Sequence, residues 1–178
     1  MRGRAVATLA CLALTVACSS NAPPLPSARP AVSASPSSAP GFDRILVQGT
    51  FVGVATFVRA NVTLSHAPRK IRWRLVPRCR TGACPVRIVS RSGRYRGVLR
   101  PRGGVYRGTI PRPGFFTCAH APERVFLRIV LSPAASEQVN GIWRATRLAA
   151  RLTDRSVPTR RCGRSYLITN VVAERVPA

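Results

Sequence analysis

The chain has 178 residues, in which 29 Lys plus Arg stand against 5 Asp plus Glu, a formal net charge of +24; every cation but Lys70 is arginine. The five acids (Asp43, Glu123, Glu137, Asp154 and Glu174) and two histidines (His66 and His120) are scattered. They offer no pair of carboxylates on one strand face and no triad, which excludes the common acid–base and nucleophilic designs. Phosphate-cradling glycine loops, a Gly-x-Ser-x-Gly elbow and dinucleotide fingerprints are also absent, so a non-enzymatic protein with an anionic partner and no cofactor is the first expectation.

Arg2 and Arg4, an apolar run from Ala5 to Ala17 and then Cys18 follow the charged, greasy, small-residue order of a secretory signal. The run is too short for a permanent membrane span. The segment Leu14-Thr15-Val16-Ala17-Cys18 resembles the lipobox of bacterial lipoproteins, where a small residue precedes a cysteine that is acylated and becomes the mature N-terminus. The resemblance implies a signal peptide over residues 1–17, lipid attachment at Cys18 and residence at the outer face of the cell membrane. Thr15 stands where leucine is usual, so ordinary secretion is the alternative. Cysteine arithmetic agrees with acylation. Cys11 lies in the leader, which leaves Cys18, Cys79, Cys84, Cys118 and Cys162. The last four make two disulfides in an oxidising compartment, and thioether linkage accounts for Cys18.

Residues 18–41 carry Pro23, Pro24, Pro26, Pro30, Pro36 and Pro40 among serines and alanines, with no apolar periodicity. Such a segment buries too little to fold and reads as a tether reaching about 25 Å. Residues 42–178 are the size of one domain with a real core.

Within that domain apolar and polar residues alternate at the period of half-buried strands, and no window sustains helical spacing. The expected fold is all-β, an antiparallel meander of about eight strands, closed as an up-and-down barrel in preference to a sandwich. Strands are expected at Gly49–Arg59, Lys70–Cys79, Cys84–Val89, Tyr95–Leu99, Tyr106–Ile110, Arg124–Leu131, Ile142–Thr153 and Tyr166–Val176. Turn signals at Ala67-Pro68, Ser132-Pro133 and Asn140-Gly141 separate the later ones.

A hairpin with Cys79 opposite Cys84 sets Leu75 against Ile88 and Pro77 against Val86. One face then holds Ile71, Trp73, Leu75, Val86 and Ile88, and the other Lys70, Arg72, Arg74, Arg87 and Arg91. A one-residue slip would bury the charges. The echo Tyr95-Arg96-Gly97-Val98-Leu99 and Tyr106-Arg107-Gly108-Thr109-Ile110 predicts a second hairpin turning at Arg102-Gly103, with Gly97 facing Gly108 and with Arg96, Arg100 and Arg107 outward. In the seventh strand Ile142, Thr146, Leu148, Ala150 and Leu152 should share one face, opposite Trp143, Arg147 and Arg151.

Pairing Cys79 with Cys84 and Cys118 with Cys162 is expected. A zinc site drawing on these cysteines and His120 is the alternative, weakened by export and by the lack of a C-x-x-C pair. Glu123 and Asp154 are expected to pair with neighbouring arginines. The set of Trp73, Pro77, Cys79, Cys84, Tyr95-x-Gly97, Trp143 and Cys162-Gly163 resembles small exported β domains of high-GC Gram-positive bacteria, a resemblance that implies no catalytic residue.

Arginine forks suit phosphate and carboxylate. The leading functional expectation is an exported lipoprotein module that engages an anionic cell-wall polymer or an anionic lipid surface through Lys70, Arg72, Arg74, Arg87, Arg96 and Arg107, with nucleic acid only a non-specific partner. One alternative is a β-barrel that carries or senses a small ligand in its interior. The other is an enzyme with a loop-built site near His120.

Overall fold

Period-two alternation governs nearly every strand, and one face of each is buried. The computed structural model describes residues 39–63 and 67–177. The leader, Cys18, His66 and nearly all of the tether lie outside these residues. A 3-10 turn at Phe42–Arg44 leads into β1 (Ile45–Leu46), β2 (Gly49–Ala60), β3 (Arg69–Pro77), β4 (Val86–Ser90), β5 (Arg96–Arg102), β6 (Val105–Pro111), β7 (Thr117–Cys118), β8 (Ala121–Pro122), β9 (Val125–Val139), β10 (Ile142–Ser156) and β11 (Tyr166–Arg175).

The fold is all-β. Nine strands form one sheet in the order β1-β10-β11-β2-β3-β4-β5-β6-β9, antiparallel except where β1 meets β10, while β7 and β8 make a small ladder of their own. β10 pairs with β9 along its length as well as with β11. The pairings therefore run in a ring, and each of the eight long strands has a hydrogen-bonded neighbour on both sides, which removes the edge that an open sheet exposes.

Antiparallel neighbours place successive connections at alternate ends. The tight turns at Gly103-Gly104 and Asn140-Gly141, with the Cys79–Cys84 loop, lie at one end, here the turn end. The connections after β2, β4, β6 and β10 lie at the other, the loop end. The turn end is filled. Phe42 packs on Tyr106 with ring centroids 5.2 Å apart, Ala83 N–H donates to the Asp43 carbonyl at 2.8 Å, and Ile45, Leu46 and Val47 are buried. Above them Phe51, Leu75, Ile88, Leu99, Ile110, Leu127, Ile129, Leu131 and Leu148 form the buried apolar core.

The first hairpin has the expected register, with Leu75 opposite Ile88 and Pro77 opposite Val86. Trp73, Leu75, Val86 and Ile88 are buried, and Lys70, Arg72, Arg74, Arg87 and Arg91 are exposed. The second differs from expectation. It turns at Gly103-Gly104, whose φ angles of 57° and 73° suit a two-residue turn with both central residues left-handed, so Arg100 opposes Arg107. The glycines do not face one another. A Cβ on Gly97 would meet Ile110 Cγ1 at 2.6 Å, and one on Gly108 would meet Leu99 Cδ2 at 2.6 Å, so each glycine makes room for a large side chain on the neighbouring strand.

Ser132-Pro133 is not a turn but part of β9, which continues to Val139. The register slips between Ala145 and Leu148, where Leu148 faces Pro133, and this bulge accommodates the proline's missing donor. It also shifts the phase of β10, so that Ala145 rather than Thr146 joins Leu148, Ala150 and Leu152 in the core, and Trp143, expected on the outer face, packs against that core instead.

Candidate functional site

At the loop end the interior is not filled. β4 has five residues against nine in β3, so its pairing reaches up β3 only as far as Trp73, and above that one backbone bond among the described residues, Arg91 N–H to the Arg72 carbonyl at 2.9 Å, ties β3 to the β4–β5 connection. Behind this gap lies a chamber of about 640 Å³, partly open to solvent. That volume falls in the usual range for small-molecule sites. Ala55 and Phe57 of β2, Ile71 and Trp73 of β3, Leu152 of β10 and Leu167 of β11 supply its apolar lining.

Two polar pairs are built into the wall. Trp73 Nε1 donates to Tyr95 Oη at 2.6 Å. Arg112, just beyond β6, donates through Nη1 to both carboxylate oxygens of Asp154 at 2.9 and 3.0 Å. The Arg112 guanidinium also lies 3.6 Å from the Phe115 ring centroid and 5.4 Å from that of Tyr95, so aromatic faces cover it. Burial pushes the Asp154 carboxyl above its ordinary range, and Arg112 pulls it part of the way back through charge and hydrogen bond. Burial likewise raises the Tyr95 phenol, against the hydrogen bond from Trp73 and the charge of Arg112. The expectation of a neighbouring arginine therefore fails for Asp154, whose partner Arg112 stands forty-two residues away in the chain.

The same expectation fails for Glu123. It is only 7% exposed, yet neither carboxylate oxygen has a hydrogen-bond partner. Its backbone is held beneath the β6–β9 connection by bonds from Glu123 N–H to the Phe116 carbonyl and from Gly114 N–H to the Glu123 carbonyl. Arg124 turns away to stack on Phe126 at 5.3 Å.

Both expected disulfides are present. Cys79–Cys84 closes the turn-end loop, and Cys118–Cys162 joins the β6–β9 and β10–β11 connections over the loop end, with Cα atoms 6.1 and 6.3 Å apart. Glu123, not His120, is the ionisable side chain beside the Cys118–Cys162 sulfurs. His120 is exposed and occupies, with Ala119, the left-handed turn between β7 and β8, where their φ values are 67° and 47°.

The six proposed anion ligands, Lys70, Arg72, Arg74, Arg87, Arg96 and Arg107, are exposed on the outer surface of four successive strands, β3 to β6. Valines separate many of the charges across the ladder: Val89 stands between Arg74 and Arg96, and Val130 between Arg107 and Arg151. That spacing limits self-repulsion; Arg100 and Arg107 are the exception, directly opposite each other. Arg128, Arg151 and Arg155 line a second, smaller depression with Phe126, across β9 and β10. Reading one strand at a time hid this cluster, because its members meet only through the β9–β10 register.

Comparison with family models, with curated proteins and with solved structures finds no match. The functional argument therefore rests on the geometry of this chain.

Proposed function

We propose that residues 42–178 form a non-enzymatic binding domain, exported and tethered through Cys18, whose ring of strands closes as a barrel and holds a small ligand in the loop-end chamber. One observation carries this reading. Buried side chains fill the turn end while the loop end holds a chamber, where a largely buried ion pair and a buried phenol sit among apolar residues of a wall that also carries Ser90 and Thr169. A core built only for stability would fill that volume, since unfilled space forfeits packing energy. The test is binding of an environment-sensitive apolar dye, followed by energy transfer from tryptophan. Ala55→Phe fills the chamber from β2 and is expected to abolish binding with the strand spectrum retained. Undiminished binding by a folded Ala55→Phe variant would place the dye elsewhere and end the proposal.

A second reading is supported by the outer surface, where Lys70, Arg72, Arg74, Arg87, Arg96 and Arg107 are all exposed and none is engaged by a carboxylate among the described residues. This face would engage an anionic cell-wall polymer or lipid surface by multivalent charge pairing, with an affinity that falls steeply with salt. Titration of wall polymers, anionic vesicles and DNA at two salt concentrations checks it. Selective binding to one polyanion that survives moderate salt supports recognition. Binding unchanged by reversing Lys70, Arg72 and Arg74 to glutamate would overturn the assignment to this face.

A further inference from the structure

We infer that the chamber takes a single-chain amphiphile with an anionic head, its apolar body inside and its head held at the gap beside β3. The inference rests on the chamber reading above and names the ligand class. The lining decides the body: Ala55, Phe57, Ile71, Trp73, Leu152 and Leu167 are apolar, the indole donor is taken by Tyr95, and the Ser90 hydroxyl already accepts from the Tyr95 N–H, which leaves Thr169 and Ser92 as the other hydroxyls of the wall. The head is decided by which cations are free. Arg112 is the cation beside Tyr95 and Asp154 in the chamber wall, but its Nη1 serves both oxygens of Asp154 and its faces meet Phe115 and Tyr95. The pair carries no net charge, and an anion brought to it would face the Asp154 carboxylate at close range.

The gap is the opposite. Arg69, Lys70 and Arg72 line one side of it and Arg91 and Arg94 the other; all five are exposed, and among the described residues none forms an ion pair. Asp154, the one acid lining the chamber, is engaged by Arg112. Unpaired arginine forks around an opening into an apolar chamber match a carboxylate or phosphate ester borne on a hydrocarbon body. Size limits that body. At roughly 30 Å³ for a water-sized group, 640 Å³ admits about twenty such groups, which suits one chain.

Calorimetric titration of the oxidised protein with dodecanoate, dodecyl phosphate, dodecanol and dodecyltrimethylammonium tests the assignment. The anions are expected to bind at least tenfold more tightly than the alcohol, and the cation more weakly than the alcohol. Arg69→Glu with Arg94→Glu should lower anion affinity tenfold or more and leave the alcohol unchanged. Arg80→Glu with Arg102→Glu makes the same change in net charge at the turn end and should have little effect on either. The ratio of dodecanoate to dodecyl phosphate separates a fatty-acid ligand from a phosphate-headed one. Equal binding of alcohol and anions, or loss of anion binding in both double reversals alike, overturns the inference while leaving the chamber reading standing. Absence of binding by all four probes, or binding that survives Ala55→Phe, overturns the chamber reading itself.

Discussion

The indole nitrogen of Trp73 donates to the hydroxyl of Tyr95 at 2.6 Å, with Trp73 fully buried and Tyr95 9% exposed. The bond spans the short β4 and holds β3 to the entry of β5 where the chamber begins. Tyr95→Phe leaves the indole donor unpaired and should cost about 1–3 kcal/mol, read from urea unfolding. The same variant should shift the tryptophan emission. An unchanged unfolding midpoint would show that water replaces the hydroxyl.

Arg112 and Asp154 should behave as one unit. Arg112→Met strands a buried carboxylate and should cost about 3–5 kcal/mol, most of it recovered when Asp154→Leu is added. The pH dependence has a definite sign. Burial, the larger influence, raises the native carboxyl above the ordinary value near 3.8. A carboxyl that titrates higher in the native state contributes stability that is complete below the unfolded value and is lost as pH rises through the native one. The stability of the native sequence minus that of Asp154→Asn should therefore fall as pH rises from 3 towards neutrality. Urea midpoints at half-unit pH steps check this, and a difference that grows with pH would refute it.

Glu123 should be dispensable for stability. Its oxygens are buried without partners, and an unsatisfied buried group costs about 1–3 kcal/mol. Glu123→Met, which keeps the shape and removes the carboxylate, should raise the thermal midpoint. A lowered midpoint would show that the carboxylate has a compensating partner.

The two disulfides should differ in worth. The enclosed separations are 5 and 44 residues, and on the chain-entropy estimate these correspond to about 2 and about 4 kcal/mol. Replacing Cys118 and Cys162 by serine should thus be the more damaging change. It should also weaken ligand binding, because the bridge joins two connections of the loop end. Denaturation of the two double variants, side by side, decides it.

Two glycines should respond differently to a methyl group. A Cβ at Gly53 would lie 2.0 Å from the Val172 carbonyl oxygen, a backbone atom that the ladder holds in place. At Gly97 the obstacle is the Ile110 side chain. Gly97→Ala should cost about 1–3 kcal/mol, and Ile110→Ala should cost less in that background than alone. Gly53→Ala should be more severe, with no side-chain change that rescues it. Double-mutant cycles on unfolding free energies measure the contrast.

The first hairpin was readable because one slip of register would have buried Lys70, Arg72 and Arg74, and only one pairing avoids that cost. The second hairpin was read two residues out of register. Its echo of Tyr-Arg-Gly suggested facing glycines, whereas left-handed turn geometry favours Gly103-Gly104 at the tip and moves each glycine opposite a bulky neighbour. Pro133 read as a turn because a proline cannot donate to a ladder, but a bulge satisfies that constraint inside a strand. The outward arginines were legible from alternation alone. The Arg112–Asp154 pair was not, since the two residues stand forty-two apart and meet only across the interior.

By itself the sequence determined the class of fold, the inward and outward faces of the first hairpin and the cysteine pairing, because alternation, charge and cysteine count are local or additive properties that survive without a register. Only the tertiary structure decided that β9 pairs with β10 and β6 to complete the ring, that β4 stops short beside β3, and that an ion pair lies in the chamber wall. These depend on which distant strands share a ladder and at what offset. That choice is made by packing over the whole core, and no single segment contains it.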